Sequence, residues 1–254
     1  MDFAEPDYTS TKKNLALMNN NFSKILSFCV YGDDPKYTEG MKRNIESCPD
    51  IYGDEWKIRV HIDDSVPSYI VQEYAAKGAQ IFDASRMNIE GGMFWRFLPF
   101  IDESVDVFCV RDADSRISLR EKSAVDEWLE SDKSLHLMRD HPHHNYVIMG
   151  GMFGFNKIPN GNYSFIEDYA NFSSPDYKFK KMDDMIFLHN LYRQYSHSAM
   201  SHDIFGPRIG NDSNRCTFDG AEDYRPFPTT REGKEFVGEI YDGADVPSYQ
   251  RELL

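Results

Sequence analysis

The sequence predicts an α/β fold, a single domain in which a mostly parallel central sheet is flanked by helices. Three observations predict it. Short runs rich in β-branched and aromatic residues, such as 24–31 and 105–110, alternate with amphipathic runs in a β-α-β-α-β-α-β order. The strand-like runs are apolar along much of their length, as in sheets covered on both faces. The 254 residues are 41% hydrophobic and 14% aromatic, which supports one large core, and no Gly/Ser or Pro-rich linker divides them.

Each element has its local reason. Residues 1–22 are polar and Asn-rich and read as an N-terminal arm. The domain spans 23–254. Its first strand, 24–31, runs into Gly32-Asp33-Asp34-Pro35, strong turn chemistry. A helix follows over 37–47. The alternating run 56–62 is the second strand and ends in Asp63-Asp64. The helix 66–77 has Pro67 near its start and Gly78 at its stop. A short strand, 79–82, precedes a helix over 91–101 that is rich in large apolar residues. Strand 105–110 leads to a helix over 119–131, with Trp128 and Leu129 facing inward, and then a strand at 135–138. Residues 147–149 enter a Gly-rich turn at 150–155. Helices are expected over 163–172 and 182–195. From about 206 the chain is an irregular C-terminal segment rich in Gly, Pro, Asp and Arg.

The formal net charge is −14, which disfavours nucleic acid and anionic membrane surfaces. The cysteines, Cys29, Cys48, Cys109 and Cys216, include no C-x-x-C pair, so a zinc ribbon is unsupported. The reading is a reduced, cytoplasmic chain without signal peptide or membrane span.

The candidate chemistry gathers at Asp112-Ala113-Asp114, where an apolar strand ends. The carboxyl ends of strands in open α/β sheets are where ligands meet the sheet. Two carboxylates pointing the same way repel unless a hard cation such as Mn²⁺ or Mg²⁺ lies between them, and such ions bridge carboxylates to phosphates. Arg96 follows Trp95 in an apolar segment, so it must pair with a carboxylate or reach a phosphate. Both readings place it near Asp112 and Asp114. Asp183 and Asp184 open a helix, where one is a cap and the other faces the cleft as a general base or sugar ligand. His141, His143 and His144 lack zinc spacing; one of them contacting a substrate phosphate or hydroxyl is the better reading. The Gly150–Gly154 turn lets backbone approach a ligand, and it lacks both the P-loop lysine and G-x-G-x-x-G spacing.

This ordered set resembles the GT-A-type nucleotide-sugar glycosyltransferases over roughly residues 24–205. The set is Phe28-Cys29-Val30-Tyr31, Trp95-Arg96, Asp112-Ala113-Asp114, Gly150–Gly154, Asp183-Asp184-x-x-Phe187-Leu188 and a late His202-Asp203. The stretch 111–120, with Arg139-Asp140-His141-Pro142 and Gly151-Met152-Phe153-Gly154, is also similar to a group of viral and bacterial glycosyltransferases. The resemblance implies a metal-dependent hexosyltransferase that moves a sugar from a nucleotide-diphosphate donor to an acceptor hydroxyl on a glycan or glycoconjugate. Asp114, Asp112 and His202 would hold Mn²⁺ or Mg²⁺. Phe28, Val30 and Tyr31 would cradle the base. Arg86, Arg96, Asp112 and Gly151 would hold the rest of the donor, and Asp184 or Asp183 would act on the acceptor. No HxxGxxKPW-like motif follows His202, a departure from the family pattern. The alternatives are a haloacid-dehalogenase-like phosphatase, which also places Asp-x-Asp after an apolar strand, and a non-enzymatic sugar- or nucleotide-binding module. Against the phosphatase, several βα units precede the motif here.

Overall fold

The computed structural model describes residues 23–160, 163–173, 176–204, 221–243 and 246–247. The expected N-terminal arm and residues 205–220, Cys216 included, lie outside the described residues. Eight strands form the main sheet in the order β3-β2-β1-β4-β6-β5-β7-β8. They are β1 (Lys24–Cys29), β2 (Trp56–Ile62), β3 (Gln80–Asp83), β4 (Val107–Arg111), β5 (Leu135–Arg139), β6 (Met152–Asn156), β7 (Ala199–Asp203) and β8 (Asp223–Arg225). All neighbours pair parallel except β6, which runs antiparallel to both β4 and β5. The chain is therefore α/β with a mostly parallel, helix-flanked sheet, as expected.

Strand alternation sorts the side chains into two layers. Leu26 and Phe28 of β1 and Val107 and Cys109 of β4 face α1 (Pro35–Tyr52), α2 (Ser68–Ala76) and α3 (Leu119–Leu129). Ile25, Phe108 and Val110 face the other way, onto a 3-10 helix (Gly92–Ile101), α4 (Phe165–Phe172) and α5 (Asp183–Tyr195). That second layer is densely aromatic; Phe97 and Phe187, for instance, stack with centroids 6.2 Å apart.

Local chemistry accounts for the element ends. Asp34 caps α1 by accepting from the Lys36 amide at 2.9 Å, with Pro35 at the first helical position. The helix runs on to Tyr52, past the expected end at Ser47, because Cys48 and Tyr52 still have core to fill. The run 91–101 is a 3-10 helix rather than an α-helix. Pro99, inside it, has no amide to give to either kind of helical ladder.

Strands β6, β7 and β8 of the main sheet were not expected. β6 contains part of the stretch read as a Gly-rich turn. Gly154 fits there because a Cβ would press on the Trp128 ring and the Cys109 sulfur, both about 3.0 Å away. β7 reads Ala-Met-Ser-His-Asp and is buried throughout; its polar side chains are paired rather than solvated. Residues 221–243 carry β8 and then run as a strap along the carboxyl edge of the sheet. Ile240 bridges Ser115, and the Tyr241 amide donates to the Asp114 carbonyl at 2.8 Å. The strap's end forms a small hairpin, β9 (Tyr241–Asp242) with β10 (Val246–Pro247). Among the described residues, no helix is long and apolar enough to cross a membrane.

Candidate active site

The site lies at the carboxyl edge of β1, β2 and β4, and one arginine organises it. The 3-10 helix seats on β1 through Ser27, whose hydroxyl donates to the Arg96 carbonyl at 2.7 Å. That fixes the Arg96 side chain, 6% exposed, against the ends of β4 and α5. Its Nη1 donates to Asp112 Oδ1 and its Nη2 to Asp184 Oδ2 at 2.5 Å. Burial opposes the charge on Arg96, but Asp112 and Asp184 outweigh it and hold the guanidinium protonated. The neighbouring Cys29 thiol is pushed up to about 11 by burial, so no thiolate competes for the arginine.

The glycine turn is fitted to this array. A Cβ at Gly151 would overlap the Asp112 carboxylate, and one at Gly150 would overlap Asp184 and Arg96. Only glycine lets the backbone pass this close. Gly151 thus sits beneath Asp112.

Asp112 and Asp114 do not continue the strand. The chain turns after Arg111, with the Ser115 amide and hydroxyl donating to the Asp112 carbonyl at 3.2 and 2.9 Å. Each carboxylate therefore meets its own cation. Asp112 takes Arg96, and Asp114 Oδ2 takes Lys36 Nζ at 2.8 Å. Asp114 is 7% exposed; burial and the charge of Asp112 raise its pKa, and Lys36 opposes the shift. Asp183 and Asp184 also divide. Asp183 Oδ2 accepts from the Lys180 amide at 2.6 Å and the Tyr177 hydroxyl at 3.1 Å, so it pins the turn before α5. Asp184 belongs to the arginine array.

Beside the array, at the ends of β2 and β3, is a cavity of about 370 Å³. Trp95, Met87 and Ile89 give it apolar wall, and Asp63, Asp64 and Asn88 a polar one. The Trp95 indole N–H donates to the Ile89 carbonyl at 2.8 Å, and Tyr31, half exposed, meets the Trp95 ring edge-on at 6.1 Å.

Other expected residues fall elsewhere. Phe28 and Val30 are buried in the α1-side core, 0% and 1% exposed, and present no surface to a ligand. Arg86 is almost fully exposed, its guanidinium 3.9 Å from Asp83. His202 is not brought to the aspartates. It lies on β7, three strand spacings from β4, about 14 Å by the usual inter-strand distance. There it bonds His136 at 2.8 Å and Glu127 at 3.4 Å. Of the histidines after β5, His141 stacks on Phe236 of the strap at 4.4 Å and its Nδ1 accepts from the His143 amide at 3.1 Å, while His144 Nδ1 accepts from the Asp140 amide at 3.0 Å.

Lys36 and the cavity wall beyond Trp95, namely Met87, Asn88 and Ile89, were not singled out by sequence. The signal was present for Lys36. It is the first cation after β1, directly following the acidic turn 32–35 in a chain of net charge −14.

Asp112 and Asp114 could hold a hard cation only together with phosphate and water, and each is now paired with a side-chain cation. The side chain of Asp112 is 42% exposed, and Lys36 is a flexible, partly exposed partner able to leave Asp114. A fully protein-built cage is absent: among the described residues, no group of three His, Cys, Asp or Glu is placed to hold a metal ion.

No protein-family model matches the sequence, and no curated protein matches it. Solved structures do. The chain is similar to a mannosyltransferase, PcManGT from Pyrobaculum calidifontis, in complex with GDP-Man and Mn²⁺. The identity is 12% over 78% of this chain and 61% of that one, with a TM-score of 0.48. It is similar to glucosyl-3-phosphoglycerate synthase from Mycobacterium tuberculosis, at 10% identity over 80% and 76% of the two chains, TM-score 0.49. A galactosyltransferase, LgtC, in complex with donor and acceptor sugar analogues matches at 14% identity over 70% and 73%, TM-score 0.44. At identities this low the likeness assigns no role to any residue of this chain.

Proposed function

We propose that the chain is a glycosyltransferase of hexosyltransferase type, moving a sugar from a nucleotide-diphosphate donor to an acceptor hydroxyl of a glycan or glycoconjugate, with Mn²⁺ or Mg²⁺. The observation that carries this is the Arg96 array: one buried guanidinium bridging Asp112 and Asp184 over a glycine turn, beside a cavity of nucleoside size. Carboxylates accept hydroxyl protons from sugars, while the cavity offers apolar and aromatic wall to a base.

In this reading Trp95 and Tyr31 shape the nucleoside end, and Asp112 meets the ribose or the metal. Asp112 and Asp114 would hold the divalent ion, whose chemistry is Lewis-acid stabilisation of the departing diphosphate. Arg96 keeps Asp112 and Asp184 in fixed places and adds positive charge beside the diphosphate. Arg86, on the rim, reaches outward to the donor. Asp184 orients the transferred sugar or acceptor hydroxyl and is the candidate base. Asp183 supports it by fixing the turn into α5. His202, bonded to His136 and Glu127 within the sheet, takes no part in this site.

A thermal-shift screen of nucleotide sugars with and without Mn²⁺ tests the reading, because a ligand of the native state raises the melting temperature. The expected result is a shift that needs both the diphosphate sugar and the metal. Asp184→Asn should then lower transfer about 10²–10⁴-fold with donor binding retained. Turnover of an aryl phosphate, with no response to any nucleotide sugar, would sink the transferase reading in favour of the phosphatase.

A further inference from the structure

Asp112 and Asp114 are neutralised in different ways, and the difference has a consequence for metal binding. Arg96, on Asp112, is nearly buried and is also tied to Asp184, so it cannot leave without stranding a second carboxylate. Lys36, on Asp114, has a 30% exposed side chain in the first turn of α1, and 2.8 Å separates its Nζ from Asp114 Oδ2. A lysine is a compact point charge on a flexible stem, suited to exchange. It also has a second anion in reach of its field, Asp242 on the strap.

We propose that Lys36 and the divalent cation are alternative partners of Asp114, so that the resident ammonium must leave before the metal is held. The inference deepens the donor-site reading and rests on it. Two positive centres sharing one buried carboxylate repel strongly. A lone divalent ion therefore binds weakly. A diphosphate arriving with the ion brings the negative charge that accommodates both, and the freed ammonium turns to the phosphate or to Asp242. Metal and donor then bind as a pair, each strengthening the other, as linkage requires.

Calorimetric titration of Mn²⁺ alone, without donor, tests the exchange in the full chain. Lys36→Gln should bind Mn²⁺ more tightly than the parent, on the order of tenfold. The gain should vanish in Lys36→Gln combined with Asp114→Asn. Lys36→Arg keeps the charge and should bind Mn²⁺ no more tightly than the parent. Equal or weaker binding by Lys36→Gln, a gain that survives loss of Asp114, or no Mn²⁺ binding in any variant overturns the proposal. Tighter binding by Lys36→Arg overturns it too, even if Lys36→Gln does not fold. Failure of the parent to bind any nucleotide sugar, with the Mn²⁺ series as expected, would remove the transferase reading and leave the exchange standing.

Discussion

At the scale of the residue, Arg96 does two jobs with one side chain, since it neutralises Asp112 and Asp184 and sets the distance between them. Removing it leaves two carboxylates facing each other at a half-closed edge. Arg96→Ala should cost about 3–5 kcal/mol, the usual range for breaking a buried pair, read by urea unfolding. Arg96→Lys should cost less, because charge remains, yet weaken donor binding through loss of the planar fork. Unchanged donor affinity with a large stability loss would make the array purely structural. His61 supplies a pH prediction. Burial pushes its pKa down from 6.5 to about 4; Nδ1 bonds the Phe28 carbonyl at 2.9 Å, and Nε2 is buried with no partner among the described residues. A depressed pKa means that the unfolded chain takes the proton first. Its stabilising share is complete above about pH 6.5 and is lost as pH falls towards 4, up to about 3 kcal/mol. His61→Asn keeps an amide donor for Phe28 and should flatten that loss, measured as unfolding free energy at pH 7 and pH 4.5. An undiminished slope would assign the acid sensitivity to other groups, such as His136, whose pKa burial also lowers. Sequence showed that Arg96 needed a partner, because an arginine among aromatics cannot stay unpaired. It placed Arg96 near Asp112 and Asp114, and the Asp112 pair is formed, but it did not show Asp184, which lies 88 positions away and is brought in only by the packing of α5.

At the scale of the element, α5 begins with a strained residue. Met182 has φ of 79°, the left-handed region, and it is 38% exposed, so little packing holds it there. What holds it is the turn: Asp183 accepts from the Lys180 amide, and the Met182 carbonyl accepts from Met185 and Ile186 at 3.1 and 3.2 Å. Left-handed geometry costs a side-chain-bearing residue about 1–2 kcal/mol, which glycine avoids. Met182→Gly should therefore raise stability by about 1 kcal/mol and leave Asp184 in place. A fall in melting temperature would mean that the exposed thioether contributes more packing than its accessibility suggests. The elements differ in how far sequence announced them. β1, β2 and β4 were legible because β-branched and aromatic residues alternate between two buried layers. β7 was not, because its polar side chains find partners only across the sheet: Ser201 accepts from Arg139 Nη1 at 2.8 Å, and His202 meets His136. β6 was masked by glycines: Gly150 and Gly151 form the turn before it, and Gly154 within it serves close approach to Trp128 and Cys109.

At the scale of the whole molecule, the strap 221–243 joins the far edge of the sheet to the candidate site. It starts on β8 and ends at Asp114. Between these points Arg139 donates to both oxygens of Glu222 at 3.2 Å, the Arg120 guanidinium lies 4.2 Å over Phe227, and that of Arg116 4.9 Å over Tyr241. Its central anchor is Asp140, fully buried at the end of β5. That carboxylate accepts from Arg120 at 2.8 and 2.9 Å, Arg231 at 2.9 Å and the Val237 amide at 2.9 Å. Sequence set Arg139-Asp140-His141-Pro142 within the resemblance and read one of the nearby histidines as a substrate contact. It could not show that the partners of Asp140, Arg231 and Val237, come from a segment that reads as irregular. Asp140→Ala would leave two guanidinium groups and an amide without their common acceptor, a loss of about 3–5 kcal/mol if the strap stayed docked. Releasing the strap is the cheaper response, because it returns those donors to water while the sheet keeps its own ladder. Hydrogen exchange separates the two outcomes. Local release should speed exchange at Val237 and at Tyr241, whose amide bonds Asp114, by on the order of tenfold more than at the β1 and β4 amides. If all these amides speed up equally, the strap is not a separable unit, and Asp140 stabilises the sheet as a whole rather than the approach to Asp114.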